Sequence, residues 1–146
     1  MSPDDIPLLF HTSRRMRREE LRQFLGELTR RVARGRTIAC LIADDAEIRQ
    51  LNRQFRGKNY ATDVLSFPAA QPNGLAGDIA ISIDRARAQA AERGHSVADE
   101  LRILMLHGAL HLSGMDHETD SGEMAQAEIR WRKRLGLPGG LIERTQ

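Results

Sequence analysis

The sequence predicts an α+β domain: a small mixed β-sheet of about four strands packed around a central histidine-bearing helix, with flanking helices. Apolar runs of strand length, at residues 6–11, 37–43, 64–67 and 77–82, alternate with longer segments whose apolar residues recur at helical spacing. The segment around His107 is apolar on all sides, as a buried helix is. At 146 residues, with no long Ser/Gly/Pro-rich linker, the chain has the size of one domain, taken as residues 1–146.

After the first run, Leu21, Phe24, Leu25, Leu28 and Val32 keep a helical period, and Gly35 stands where that helix should stop. Residues 37–43 are continuously apolar and suit a strand buried on both faces. Asp44 is placed to cap a second helix, Glu47 completes a capping-box-like pattern, and Ile48, Leu51 and Phe55 form its buried stripe. A polar loop at 56–63 leads to the strand at 64–67, which Pro68 ends. A Pro/Asn/Gly connection at 69–74 then precedes the alternating strand at 77–82. The third helix, 84–93, is alanine-rich and closes at Gly94. Ser96 with Asp99 opens the long helix carrying Leu101, Leu104, Met105, His107, Leu110 and His111. Asp120 with Glu123 opens the last helix, which sets Met124, Trp131 and Leu135 on one side before Gly136.

Composition excludes several classes. An apolar share of 40% and a charged share of 29% are those of a soluble globular protein. No apolar run approaches the ~20 residues that span a bilayer, so no membrane association is expected. The N-terminal Met1-Ser2-Pro3-Asp4-Asp5 is acidic and lacks the pattern of a secretory signal, so a cytoplasmic location is expected. The single cysteine, Cys40, excludes an internal disulfide and lies in an apolar run, as a small buried hydrophobe would. A net charge of +2 permits an acidic partner such as RNA without demanding one. Arginines cluster at positions 14, 15, 17, 18 and 22 and again at 30, 31, 34 and 36; individually they read as solvated helix faces.

The chemistry concentrates in His107-Gly108-Ala109-Leu110-His111-Leu112-Ser113-Gly114-Met115-Asp116-His117. His107 and His111, four residues apart on a helix, share one face and can share one ion. Gly114 suits a helix C-terminus with positive φ and returns the chain so that His117 reaches the same point. Three protein ligands and one open position are the catalytic arrangement of Zn²⁺, whereas structural zinc is normally closed by four ligands. The spacing also matches the metzincin peptidase signature at every position except one. The glutamate that serves there as general base is Gly108 here, so peptide hydrolysis by the usual route is disfavoured.

Arg56-Gly57-Lys58, Thr62-Asp63-Val64-Leu65-Ser66-Phe67-Pro68, Gly77-Asp78-Ile79 and the histidine segment, taken in order, resemble the YbeY family of bacterial rRNA maturation factors. The resemblance runs from about residue 38 to residue 137. It implies a metal-dependent endoribonuclease directed at single strands, with one zinc ion per chain on His107, His111 and His117. It also implies ribosomal RNA as substrate, above all the small-subunit 3′ end. Ribosome quality control follows, with the ribosome or its small subunit and proteins as partners. The motif arginine corresponds to Arg56. Met115 stands where tyrosine is frequent, and touches no ligand.

The residue chemistry agrees. Three-histidine zinc acidifies water to a pKa of about 7 and withdraws charge from a phosphoryl oxygen. Arg56 over such a site would suit a phosphate and its developing charge; a helix C-terminal cation is its other reading. Asp63 and Asp78 read as turn residues, and Asp116 either as the partner of a ligand imidazole or as the cap of the turn before His117. His11 and His95 lack companions and read as surface histidines. Aromatics make up only 4% of the chain, and Tyr60 and Phe67 are the stacking candidates near the motifs. No residue decides between water and the RNA's own 2′-hydroxyl as nucleophile. The other readings are a ribosome-assembly factor with a structural metal and little nuclease activity, and a metallopeptidase with an unusual base.

Overall fold

In residues 37–43 the side chains alternate between two apolar environments: Ile38, Cys40 and Ile42 join one buried cluster, and Ala43 with Leu41 joins another. A strand apolar on both faces belongs inside a sheet. The computed structural model, which describes residues 6–71, 73–139 and 142, places it there. The acidic pentapeptide at residues 1–5 lies outside the described residues.

The elements in chain order are β1 (Leu8–His11), α1 (Arg18–Arg31), β2 (Thr37–Ala43), α2 (Asp45–Arg56), β3 (Val64–Pro68), β4 (Leu75–Ser82), α3 (Ile83–Arg93), α4 (Val97–Leu112) and α5 (Glu123–Leu135). The sheet has four strands in the order β1-β2-β4-β3. β1 and β2 run parallel with Leu8 beside Cys40, and β2 and β4 run parallel with Cys40 beside Ile79. β3 turns back antiparallel to β4, pairing Val64 with Ile81 and Pro68 with Gly77. The fold is thus α+β with a mixed sheet, as the sequence predicts.

α4 is the centre of the molecule. It touches α1, α3, α5, β3 and β4, and Leu101, Leu104 and Met105 are fully buried. Its start is fixed by Ser96, whose hydroxyl accepts from the Asp99 N–H at 3.0 Å. Gly108 lets the helix approach β4: a Cβ there would lie 2.8 Å from Ile79 Cδ1. The missing peptidase base is therefore also a packing requirement. Ile48 of α2 closes a smaller cluster with Ala43, Leu65 and Ala80 on the opposite face of the sheet.

Several expectations are corrected. β1 begins at Leu8 rather than residue 6, and β4 begins at Leu75 rather than residue 77. Phe55 does not join the buried stripe of α2; it is 61% exposed, standing at the rim of a recess over the sheet where its ring meets Phe67 edge to face. The capping box at Asp44 and Glu47 does not form. Glu47 instead accepts from His11 Nδ1–H at 2.8 Å, and the Asp84 carboxylate takes the Asp45 N–H at 2.8 Å. Asp78 is no turn residue, since it lies within β4 with an exposed side chain. His95 is not a free surface histidine: its ring donates to the fully buried Glu100 at 2.6 Å.

Candidate metal centre

The last turn of α4 carries His107 and His111 on one face, their ring centroids 4.8 Å apart. Gly114 follows with φ +94°, a conformation that L side chains rarely adopt, and redirects the chain. His117 returns to the pair, its ring centroid 5.4 Å from that of His107 and 5.6 Å from that of His111. The ligand atoms of the three lie within 4.8 Å of one another. His107 is buried, His111 half-buried and His117 exposed, so the triad faces outward from the core.

Its electrostatics suit a cation. Burial lowers the pKa of His111, and the neighbouring His107 and His117 lower it further, which keeps its ring neutral and able to donate a lone pair. His107 Nδ1–H donates to Glu128 Oε2 at 3.0 Å, leaving Nε2 as the ligand atom. Glu128 is 1% exposed, and its other oxygen accepts the Ile142 N–H at 2.7 Å. A buried carboxylate that orients a ligand imidazole is the usual support of a metal site. The donor set therefore fits a divalent ion such as zinc, with three nitrogens supplied and the remaining position facing the cleft.

That cleft encloses about 760 Å³ and is lined by the three histidines together with Arg56, Lys58, Asp63, Ser66 and Asp116, among others. Arg56 ends α2, and Gly57 in the left-handed conformation turns the chain after it. The Asn52 side chain holds the Tyr60 carbonyl at 2.9 Å and so fixes the connecting loop. The Arg56 guanidinium hydrogen-bonds the Ser66 carbonyl and lies 5.4 Å over the Phe67 ring. All four sequence-predicted site residues, Arg56, His107, His111 and His117, line this one cleft.

The aspartates divide clearly. Asp63 accepts from the Val64 N–H at 2.8 Å and from Gln89 at 3.3 Å, a structural role. Asp116 accepts from the Glu118 N–H at 3.0 Å and so holds the turn that contains His117, rather than one before it. The residue that sequence reasoning missed is Glu128. Its signal is positional: it falls between Met124 and Trp131 at helical spacing, a carboxylate in an apolar stripe.

Fold and site together define a class: an α+β fold that presents, in an open cleft, three histidines that could hold a metal ion. The profile of the family described as Endoribonuclease YbeY matches residues 10–136. The chain belongs to this family of endoribonucleases. It is 59% identical over 131 residues to the endoribonuclease YbeY of Solibacter usitatus, covering 90% of this chain and 88% of that one. Over 108 residues it is 57% identical to the Koribacter versatilis protein of the same name, covering 74% and 70% of the two chains. A solution structure of a Thermotoga maritima protein superposes with a TM-score of 0.60 at 25% identity, covering 88% and 89%. Among the described residues, no helix is long and apolar enough to cross a membrane.

Proposed function

We propose that this chain, residues 1–146 acting as one domain, is a zinc-dependent endoribonuclease that cuts single-stranded ribosomal RNA. Its work is the maturation of the small-subunit 3′ end and ribosome quality control, on the ribosome or its small subunit in the cytoplasm. The observation that carries the reading is the convergence of His107, His111 and His117 in a cleft that Arg56 also lines.

His107, His111 and His117 would hold one zinc ion. Bound there, zinc supplies Lewis-acid polarisation of a phosphoryl oxygen and acidifies water. Glu128 holds the His107 ring in one tautomer through the 3.0 Å hydrogen bond. Arg56 brings a planar cation to the same cleft, where its remaining N–H groups bind phosphate oxygens and the charge that develops on them. Gly108 points to packing rather than proton transfer, which argues against the peptidase reading.

The test compares zinc-loaded protein with an identically purified, equally folded His111→Ala variant on a single-stranded RNA carrying a small-subunit 3′-end sequence. Cleavage is expected from the unaltered protein alone, and a chelator stops it. Equal cutting by both, or RNA binding by both with no cutting, sinks the enzyme reading; the latter outcome supports an assembly factor whose metal is structural.

A further inference from the structure

The sheet face opposite α4 is only partly covered. Ile48 of α2 closes it at one end, over Ala43, Leu65 and Ala80. Beyond that end lies a recess of about 380 Å³ lined by Leu9, Leu41, Phe55, Phe67 and Asp78, among others. Its rim leaves Leu9 60% and Phe55 61% exposed. Large apolar side chains kept in water at a concave site mark a binding surface. Asp78 is exposed there and makes no ion pair or side-chain hydrogen bond among the described residues.

The surroundings identify the occupant. Phe55 and Phe67 meet edge to face with centroids 5.7 Å apart, and the Arg56 guanidinium lies over Phe67. Arg53, Arg56 and Lys58, all exposed, flank Phe55 in sequence. Cations interleaved with an exposed aromatic ring suit a polynucleotide, whose phosphates take the charges while a base takes the ring. The recess has the size of a small-molecule pocket rather than of a groove for a peptide helix. Arg56 links it to the histidine cleft on the other side of β3, since it lines that cleft while its guanidinium lies over Phe67. Ser66 and Pro68 line the cleft and Phe67, between them in β3, lines the recess, so both flank one strand. Arg56 sits at that strand and lines the cleft.

We infer that the Phe55–Phe67 recess is a base-binding subsite: it seats an unpaired nucleobase of the RNA whose neighbouring phosphate lies in the metal cleft. Phe55 stacks on the base, Asp78 accepts from its donor edge, and Arg56 bridges the two recesses on the backbone. This rests on the ribonuclease reading. It explains how a chain with so few aromatics binds single strands without an extended stacking platform.

The experiment measures the Kd of a fluorescent single-stranded RNA for the full-length His111→Ala protein, alone and with Phe55→Ala or Phe55→Trp added. Binding is read without cleavage, so the subsite is tested even if the nuclease reading fails. The expected result is about tenfold weaker binding for Phe55→Ala and recovery for Phe55→Trp, with unchanged circular dichroism. Equal affinity of all three proteins overturns the subsite. So does unchanged RNA affinity with lost binding to small ribosomal subunits, which would make the recess a protein contact.

Discussion

Glu128 shows how much one buried side chain decides. Its two oxygens are both used, one by His107 Nδ1–H and one by the Ile142 N–H. A Glu128→Ala variant frees the ring and orphans two buried donors, and it is expected to lose about 10–100-fold in metal affinity, read by chelator competition. Cys40 makes a different prediction. Burial raises its thiol from 9.0 to about 12, so the fold holds the neutral form while the unfolded chain ionises first. Stability from this group is whole below pH 9 and declines as pH rises toward 12. In urea titrations the parent protein should lose stability over that range relative to Cys40→Ala, and a thiol reagent should label it only on unfolding.

Helix starts carry much of the organisation at the next level. Ser96 caps α4 with its hydroxyl, and Ser82 caps α3 by accepting the Arg85 N–H at 3.1 Å. Removing the first with Ser96→Ala should cost about 1 kcal/mol and lower Tm by about 2–4 °C in calorimetry. The Ser96 cap, the strand runs and the histidine spacing are local patterns that the sequence alone predicts, whereas the Ser82 cap stands at the end of a strand run and is not among them. What it could not supply were pairings across the chain. Asp84, far from Asp45 in sequence, satisfies the start of α2 in place of Glu47. Glu128 and Glu100 are charges on apolar helix faces whose partners, His107 and His95, become evident only once elements pack. Phe55 follows the same rule: periodicity tells which face a residue shares, not whether the packing there closes over it.

For the whole molecule, the arrangement concentrates the ligands in one segment and spreads their support. The three histidines come from the end of α4 and the turn after it, while Glu128 comes from α5 and Arg56 from α2. The histidine group is thus local in its donors and global in its rigidity. Packing α4 against β4 through Gly108 sets the height of the triad above the sheet, and β3 at the sheet's margin divides the metal cleft from the recess on the far side.

That marginal strand has a consequence for the protein in concentrated solution. An outer β-strand offers unpaired amides and carbonyls to any other chain, and such edges seed aggregation unless they are blunted. β3 is blunted twice: Pro68 has no amide hydrogen, and the Ser66 carbonyl is already occupied by Arg56. Replacing that arginine with alanine removes one guard as well as a cleft cation. Light scattering of Arg56→Ala should therefore show self-association at concentrations where the parent stays dispersed.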